Sequence, residues 1–342
     1  FTFKEISDLS KKAANFLSSL GLKKGDRILT LLKRNWQYWV TAVACHRMGV
    51  VIIPASVQLA TKDIVYRVNA ADIRAIIATD DEWSQGQVED AKPQCPNLEF
   101  LLLARGGKEG WIDYDKGIEQ AAPEYTMPRI VNTDVLVCYF TSGTTGNSKG
   151  VCLSQYNICS VIYYSMRVIH FAAGDKTLSI LPLHHTYEST MNCLYALSSG
   201  VCIAYCDGLT KIAKNAAEYQ PTVLTVVPAL LVALHKRIRA SVIAGCPEKY
   251  KTLFETEPLA AALAKVPFFV RYAICARVKK SLGGKLHTFI LGAAKLDAEL
   301  ALDFNALGFT LYQGYGLTET APLLGCNNDF FYDPESVGVP LP

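Results

Sequence analysis

The segment Tyr139–Gly150 reads YFTSGTTGNSKG and gathers residue types suited to holding phosphate. Hydroxyls at Thr141, Ser142, Thr144 and Thr145 are interleaved with Gly143, Gly146 and Gly150, and Lys149 adds one mobile cation. A glycine lets its backbone N–H lie against a bulky anion. Successive N–H groups in such a loop form an anion-binding nest, and hydroxyls and an ammonium supply further donors. The P-loop of kinases and GTPases carries its lysine directly after the second glycine, with a hydroxyl next. Here Lys149 follows Gly146 by three, and Gly150 comes next. The plainer alternative is a flexible polar loop between two strands. Six identities at fixed spacing plus the lysine favour a polyphosphate ligand.

Three further clusters carry groups of chemical interest. Leu181–Glu188 (LPLHHTYE) follows a strand pattern and holds two adjacent histidines, which must point opposite ways. Taken alone, a loop histidine serves structure or solvent as readily as catalysis, and its place beyond a strand makes the two readings even. Leu291-Gly292-Ala293-Ala294 ends another strand in small residues, which suit either close packing or a slot for a flat purine. Tyr312–Thr320 (YQGYGLTET) joins aromatics, two glycines, hydroxyls and a carboxylate. Alone it reads as a turn before a helix.

The elements that must position these groups alternate in type. Helical patterns cover 4–20, 36–48, 61–69, 157–168, 211–219, 229–238 and 298–307, and strand patterns cover 27–32, 50–54, 75–78, 100–103, 135–140, 177–181, 201–205, 222–227, 286–291 and 310–313. That rhythm predicts an α/β fold, with mostly parallel sheets flanked by helices. At 342 residues and 50% hydrophobic content the chain can bury a large core, which points to two lobes. The site is expected between them, beyond the carboxyl ends of the strands. Residues 80–96 and 105–129 read as surface connections. Residues 241–284 read as an added helical hairpin; its basic residues are solvated, or, with Phe268 and Phe269, skim a membrane.

A net charge of +3 gives no case for a nucleic-acid partner. Eleven cysteines without a CxxC pair read as reduced thiols of a cytoplasmic protein. No cleavable signal is visible, and the longest apolar run, 191–206, is broken by polar residues and falls short of the about 20 residues that span a bilayer. The chain starts at Phe1 and stops at Pro342 as though cut from a longer protein.

The run Thr141-Ser142-Gly143-Thr144-Thr145-Gly146 with Lys149-Gly150, followed in order by the other clusters, resembles the adenylate-forming enzymes. These comprise acyl-CoA synthetases, adenylation domains of nonribosomal peptide synthetases and firefly-type luciferases. The resemblance is greatest to long-chain fatty-acid–CoA ligases. It implies ATP-dependent activation of a carboxylic acid, of medium or long chain, to an acyl-adenylate, then transfer to CoA. It implies that Lys149, His185, Thr318 and Glu319 are catalytic. Thr141–Gly146, Lys149, Gly292, Ala293, Ala294, Gln313, Gly314, Tyr315, Gly316 and Thr318 bind the nucleotide. His185, Tyr187, Val227 and Pro228 line the acid pocket, and Glu319 with Ser142 holds Mg²⁺. Lys295 departs from the family, where proline is common. Glu188 could in principle hold a substrate amine, but the Tyr187-Glu188 pair favours an acid without one. The resemblance divides the chain into lobes 26–172 and 173–325, with residues 1–25 packed on the second lobe and 326–342 entering a small β-barrel. It puts a ribose-gripping aspartate and a mobile C-terminal domain beyond Pro342, so the piece alone is expected to be inactive or half-active. An aryl or other acid with a different acceptor, and a nucleotide-binding module without catalysis, are the rival readings.

Overall fold

The computed structural model describes residues 1–141 and 148–341. Residues 142–147, the middle of the expected phosphate loop, lie outside them. The chain divides into two compact units, Phe1–Cys159 with Pro182–His185, and Ser160–Leu181 with Thr186–Pro342. Each contains a seven-stranded sheet flanked by helices.

In the first unit the elements run α1 (Phe3–Ser19), β1 (Arg27–Leu31), α2 (Trp36–Met48), β2 (Val51–Pro54), α3 (Thr61–Ala70), β3 (Ala75–Ala78), α4 (Glu82–Ala91), β4 (Phe100–Leu103), β5 (Ile112–Asp113), α5 (Tyr114–Gln120), β6 (Val135–Thr141) and β7 (Lys149–Ser154). The sheet order is β5-β4-β3-β1-β2-β6-β7, parallel throughout except for the antiparallel pair β6·β7. Short continuous apolar strands such as VIIP and AIIA are buried at every position, as a parallel sheet covered on both faces requires. Helix α2 stops where Gly49 takes the left-handed conformation (φ 69°) that glycine adopts without steric cost.

Two stretches expected as connections are helical. Asp81 caps α4 by accepting the Ser84 N–H, and α4 buries mostly small and polar residues, Ser84, Gln85, Val88 and Ala91, which hid its periodicity. Asp113 caps α5 in the same way through the Lys116 N–H, and Tyr114 and Ile118 are its buried pair. Helix α1 belongs to this unit; the expectation that residues 1–25 pack on the second lobe is corrected. A Thr2–Glu5 capping box starts the helix. Its fully buried Ala13, Ala14 and Leu17 lie on a helix whose Ser10 Oγ accepts from Arg47 of α2 at 2.9 Å. Lys12 and Asn15 donate to the carbonyls of Glu119 and Ala122 at the end of α5.

Helix α6 (Gln155–Ser165) carries the chain into the second unit. There follow β8 (Lys176–Ser179), a π-helical stretch Tyr187–Leu194, α7 (Tyr195–Ser198), β9 (Cys202–Tyr205), α8 (Ile212–Tyr219), β10 (Val223–Val226), α9 (Pro228–Gly245), α10 (Lys251–Thr256), α11 (Leu259–Lys265), α12 (Phe268–Ser281), β11 (Thr288–Leu291), α13 (Ala298–Ala306), β12 (Thr310–Tyr315), β13 (Gly325–Cys326) and β14 (Val339–Pro340). The order is β14-β13-β12-β11-β10-β8-β9, with β13 and β14 antiparallel. Residues 325–340 thus extend this sheet. The stretch 241–284 is no surface hairpin: Phe254, Leu259, Leu263, Val270, Ile274 and Val278 join the same core as Phe289, Phe304 and Phe309. Asp303, almost fully buried, binds His235 of α9 at 2.8 Å and the Ala260 N–H of α11 at 2.6 Å, tying three helices together.

Candidate functional site

The expected site residues fall in both units. In the first, β6 and β7 form the hairpin whose connection contains Ser142, Gly143, Thr144, Thr145 and Gly146, which lie outside the described residues. Thr141 and Lys149 are the register partners that flank this connection, at the loop end of the hairpin. Lys149 is exposed and makes no ion pair among the described residues, so its charge is available to an anion. Helix α3 braces this end. Tyr66 donates from its hydroxyl to the Ser148 carbonyl at 2.8 Å, and the Arg67 guanidinium lies 5.1 Å from the centre of the Phe140 ring. A side chain at Gly150 would begin 3.1 Å from Cys138 Sγ, so this glycine also serves strand packing. No motif signals Tyr66 or Arg67 in the sequence; only the fold brings α3 to the hairpin.

The histidine pair sits in a turn closed by the His185 N–H donating to the Pro182 carbonyl at 3.1 Å. The Tyr38 hydroxyl holds the Leu183 carbonyl at 3.0 Å. The rings of His184 and His185 are 4.5 Å apart, so the expectation that the two point opposite ways is corrected: they sit in a turn, not in an extended strand. His184 is half-buried, and desolvation, with smaller repulsion from His185, Arg67 and Arg34, pushes its pKa down to about 4. His185 is the more exposed of the two; partial loss of water lowers its pKa as well. Both are therefore neutral near pH 7, and His185 can act as a hydrogen-bond donor or acceptor there without carrying charge.

In the second unit, β10, β11 and β12 lie side by side and parallel, with Val226 opposite Leu291 and Leu291 opposite Gln313. Two sets of expected residues begin where β10 and β11 end, Val227 with Pro228 and Gly292-Ala293-Ala294, and the third runs from the last residues of β12, Gly314 and Tyr315, to Glu319. Tyr187 reaches across from the π-helical stretch, its hydroxyl donating to the Ile290 carbonyl at 3.0 Å. Its ring explains Gly292, because a Cβ there would sit 2.9 Å from Tyr187 Cζ. Ala293 and Ala294 are exposed, and Ala293 holds a left-handed φ of 72°, a conformation that costs a non-glycine residue energy. Lys295 is exposed beside them.

Glycines at 314 and 316 have packing causes too. A Cβ at Gly316 would fall 1.7 Å from the Pro322 carbonyl oxygen, and one at Gly314 would fall 2.7 Å from Leu323 Cδ1. Gln313, expected on the nucleotide, is 5% exposed and its Oε1 accepts the Leu296 N–H at 3.1 Å. It therefore holds the loop 292–296 rather than presenting an amide outward. Tyr315 is half exposed, offering a ring face. The turn Thr318–Thr320 is fixed by Thr320, whose Oγ1 accepts the Leu317 N–H at 2.9 Å. That leaves Thr318 half-buried and Glu319 exposed.

Glu188 is fully buried and accepts from Ser179 at 2.5 Å and Asn192 at 2.9 Å, so it cannot serve a substrate amine from the solvent side. Among the described residues no three of His, Cys, Asp and Glu cluster as a metal cage. Glu319 is a lone, exposed carboxylate without an ion pair among them, and its expected partner Ser142 lies outside them. A single carboxylate suits Mg²⁺, which takes one or two such ligands and completes its shell with phosphate oxygens and water. No helix among the described residues is long and apolar enough to cross a membrane. All eleven cysteines are free, six of them buried.

Comparison with known proteins bears on this arrangement. A profile described as "AMP-binding enzyme" matches residues 1–342. The mitochondrial acyl-coenzyme A synthetase ACSM6 of Homo sapiens is 28% identical over 346 aligned residues, covering 100% of this chain and 65% of that protein. The mitochondrial acyl-coenzyme A synthetase ACSM5 of Rattus norvegicus is 41% identical over 157 residues, 45% of this chain and 27% of that protein. The crystal structure of the anthranilate CoA ligase AuaEII, in complex with anthranoyl-AMP, superposes with a TM-score of 0.80 at 19% identity, covering 100% of this chain and 60% of that one. The chain thus spans less than two thirds of these relatives.

Proposed function

We propose, since this chain belongs to the AMP-binding enzyme family, that it binds ATP and a carboxylic acid and forms an acyl-adenylate, the first half of an acyl-CoA synthetase reaction. One observation carries the reading: three neighbouring parallel strands are in register at Val226, Leu291 and Gln313, and the small, aromatic and acidic residues of the motifs lie beyond that level, after β10 and β11 and from Gly314 onward on β12. Ligands of open parallel sheets collect at such carboxyl ends.

In the adenylation step a carboxylate oxygen bonds to the α-phosphorus and the bond to the pyrophosphate oxygen breaks. Negative charge builds on the phosphoryl oxygens and the leaving pyrophosphate. Lys149 and the loop N–H groups offset that charge, and Thr318 donates to the α-phosphate. Tyr315 stacks on adenine, with Gly292, Ala293 and Ala294 along its edge. Glu319 would hold Mg²⁺, which supplies further charge neutralisation. Neutral His185 orients the acid, and Tyr187, Val227 and Pro228 line its pocket. CoA thiol then attacks the acyl carbon and AMP departs.

A fatty acid of medium or long chain, without an amine, is the substrate we favour. Burial of Glu188 supports this, because it removes the one acid near that turn able to pair with an ammonium. The test is ATP–pyrophosphate exchange across fatty, aryl and amino acids, using the full enzyme that carries this chain. Exchange with fatty acids that falls at least about tenfold in Glu319→Ala supports the reading. Exchange unchanged by that substitution, or ATP binding with no acid that supports exchange, contradicts it.

A further inference from the structure

Helix α12 carries a surface that adenylation does not use. Val270, Ile274 and Val278 recur at four-residue spacing and are buried in the core of the second unit. At 3.6 residues per turn, Phe268, Phe269, Tyr272 and Ala276 fall within about 100° of arc on the opposite side. Phe268 is 81% exposed, Phe269 72% and Tyr272 67%, and the rings of Phe268 and Tyr272 stack at 6.3 Å. Single exposed apolar residues need no explanation, but a cluster of three aromatics on one face marks an interaction site.

The charge around this face has one sign. Residues 265–285 contain six cations, Lys265, Arg271, Arg277, Lys279, Lys280 and Lys285, and no carboxylate. Three are engaged locally: Lys265 pairs with Glu257, Arg277 donates to the carbonyls of Gly245 and Ser241, and Lys279 lies over Phe309. Arg271, Lys280 and Lys285 are exposed and have no carboxylate within ion-pair distance among the described residues. Arg271 and Lys280 flank the aromatic stripe on its two sides. No helix among the described residues is long and apolar enough to cross a bilayer.

We propose that α12 docks this chain on a membrane surface rich in anionic lipid. Phe268, Phe269 and Tyr272 enter the interfacial layer, where aromatic side chains are stable, while Arg271 and Lys280 meet lipid phosphates. Absence of any acid from the stretch, together with aromatic rather than aliphatic exposure, fits such a surface better than a second protein. This docking does not depend on the adenylation reading, and its test needs no activity.

The experiment is cosedimentation of the 342-residue chain with vesicles of equal parts phosphatidylcholine and phosphatidylglycerol, against phosphatidylcholine alone, at low and high salt. The expected result is binding to the anionic vesicles that weakens with salt. Arg271→Gln with Lys280→Gln should lower the partition about twentyfold or more, since each cation near such a surface contributes about fivefold. Phe268→Ser/Phe269→Ser/Tyr272→Ser should lower it by at least as much, and the melting temperature of both variants, measured in parallel, should stay at the parent value because these side chains face solvent. No binding to anionic vesicles, equal binding to neutral ones, or variants that bind like the parent would overturn the proposal. So would concentration-dependent self-association, without vesicle binding, that the aromatic variant abolishes; the occupant of the face would then be a second copy of the chain.

Discussion

The two sets of candidate residues are built on opposite principles. In the first unit, Thr141 and Lys149 stand at the loop end of a hairpin, and the packing there is done by other residues, Tyr66 and Arg67. In the second unit three of the motif residues are themselves packing. Gly292 clears the Tyr187 ring, Gly316 clears the Pro322 carbonyl, and Gln313 pins the Leu296 N–H. The same kind of motif can thus leave side chains exposed in one place and fix backbone geometry in another. Changing a residue of the first kind should damage function without stability, and changing one of the second kind should damage stability first.

The largest expected effect on stability is Gly316→Ala. With backbone rather than a flexible side chain 1.7 Å from the new Cβ, the strand end must move, at a cost of about 3 kcal/mol. Urea unfolding followed in the second unit should reveal it, and an unchanged midpoint would break the contrast. Lys149→Ala should do the reverse: exchange falls by about 3 kcal/mol of transition-state stabilisation, roughly a hundredfold, with no change in melting temperature. Gly292→Ala is intermediate, costing about 1–2 kcal/mol because it meets a ring that can shift. Adding Tyr187→Leu should return much of that loss in the same unfolding measurement.

Acid sharpens the comparison from the other side. Burial depresses His46 and His184 of the first unit to about 4 and lowers His185. Such groups bind fewer protons folded than unfolded, so the stability that comes from keeping them neutral is whole above the unfolded pKa of about 6.5. It is lost as pH falls from there through about 4. Unfolding of the first unit should therefore become easier across that window, and His46→Leu with His184→Leu should flatten the slope. The smallest effect is Gln313→Leu, which orphans the Leu296 N–H at about 1 kcal/mol. Its weakening of ATP binding should be indirect, through loop 292–296.

Most of the architecture was legible because strands buried on both faces read as unbroken apolar runs, as at 51–54 and 75–78. Helices α4 and α5 were not, because their identity rests on an aspartate cap and two or three buried residues rather than on a long stripe. The location of α1 has no local signature either: its partners, Arg47 and Glu119, are distant in sequence. At the candidate site, residue types raised the expectation of phosphate and purine chemistry, while the packing causes of Gly292, Gly316 and Gln313 required coordinates. Tyr66 carries no local signature at all.

What we propose for the site residues is that Lys149 and Glu319 each contribute to binding ATP with Mg²⁺. Titration calorimetry of ATP into the 342-residue chain, with and without Mg²⁺, tests it most directly. We expect binding that Mg²⁺ strengthens, weakened at least about tenfold by Lys149→Ala, with the Mg²⁺ dependence abolished by Glu319→Ala. Equal affinity in all three proteins, or no heat from ATP under any condition, would contradict the account.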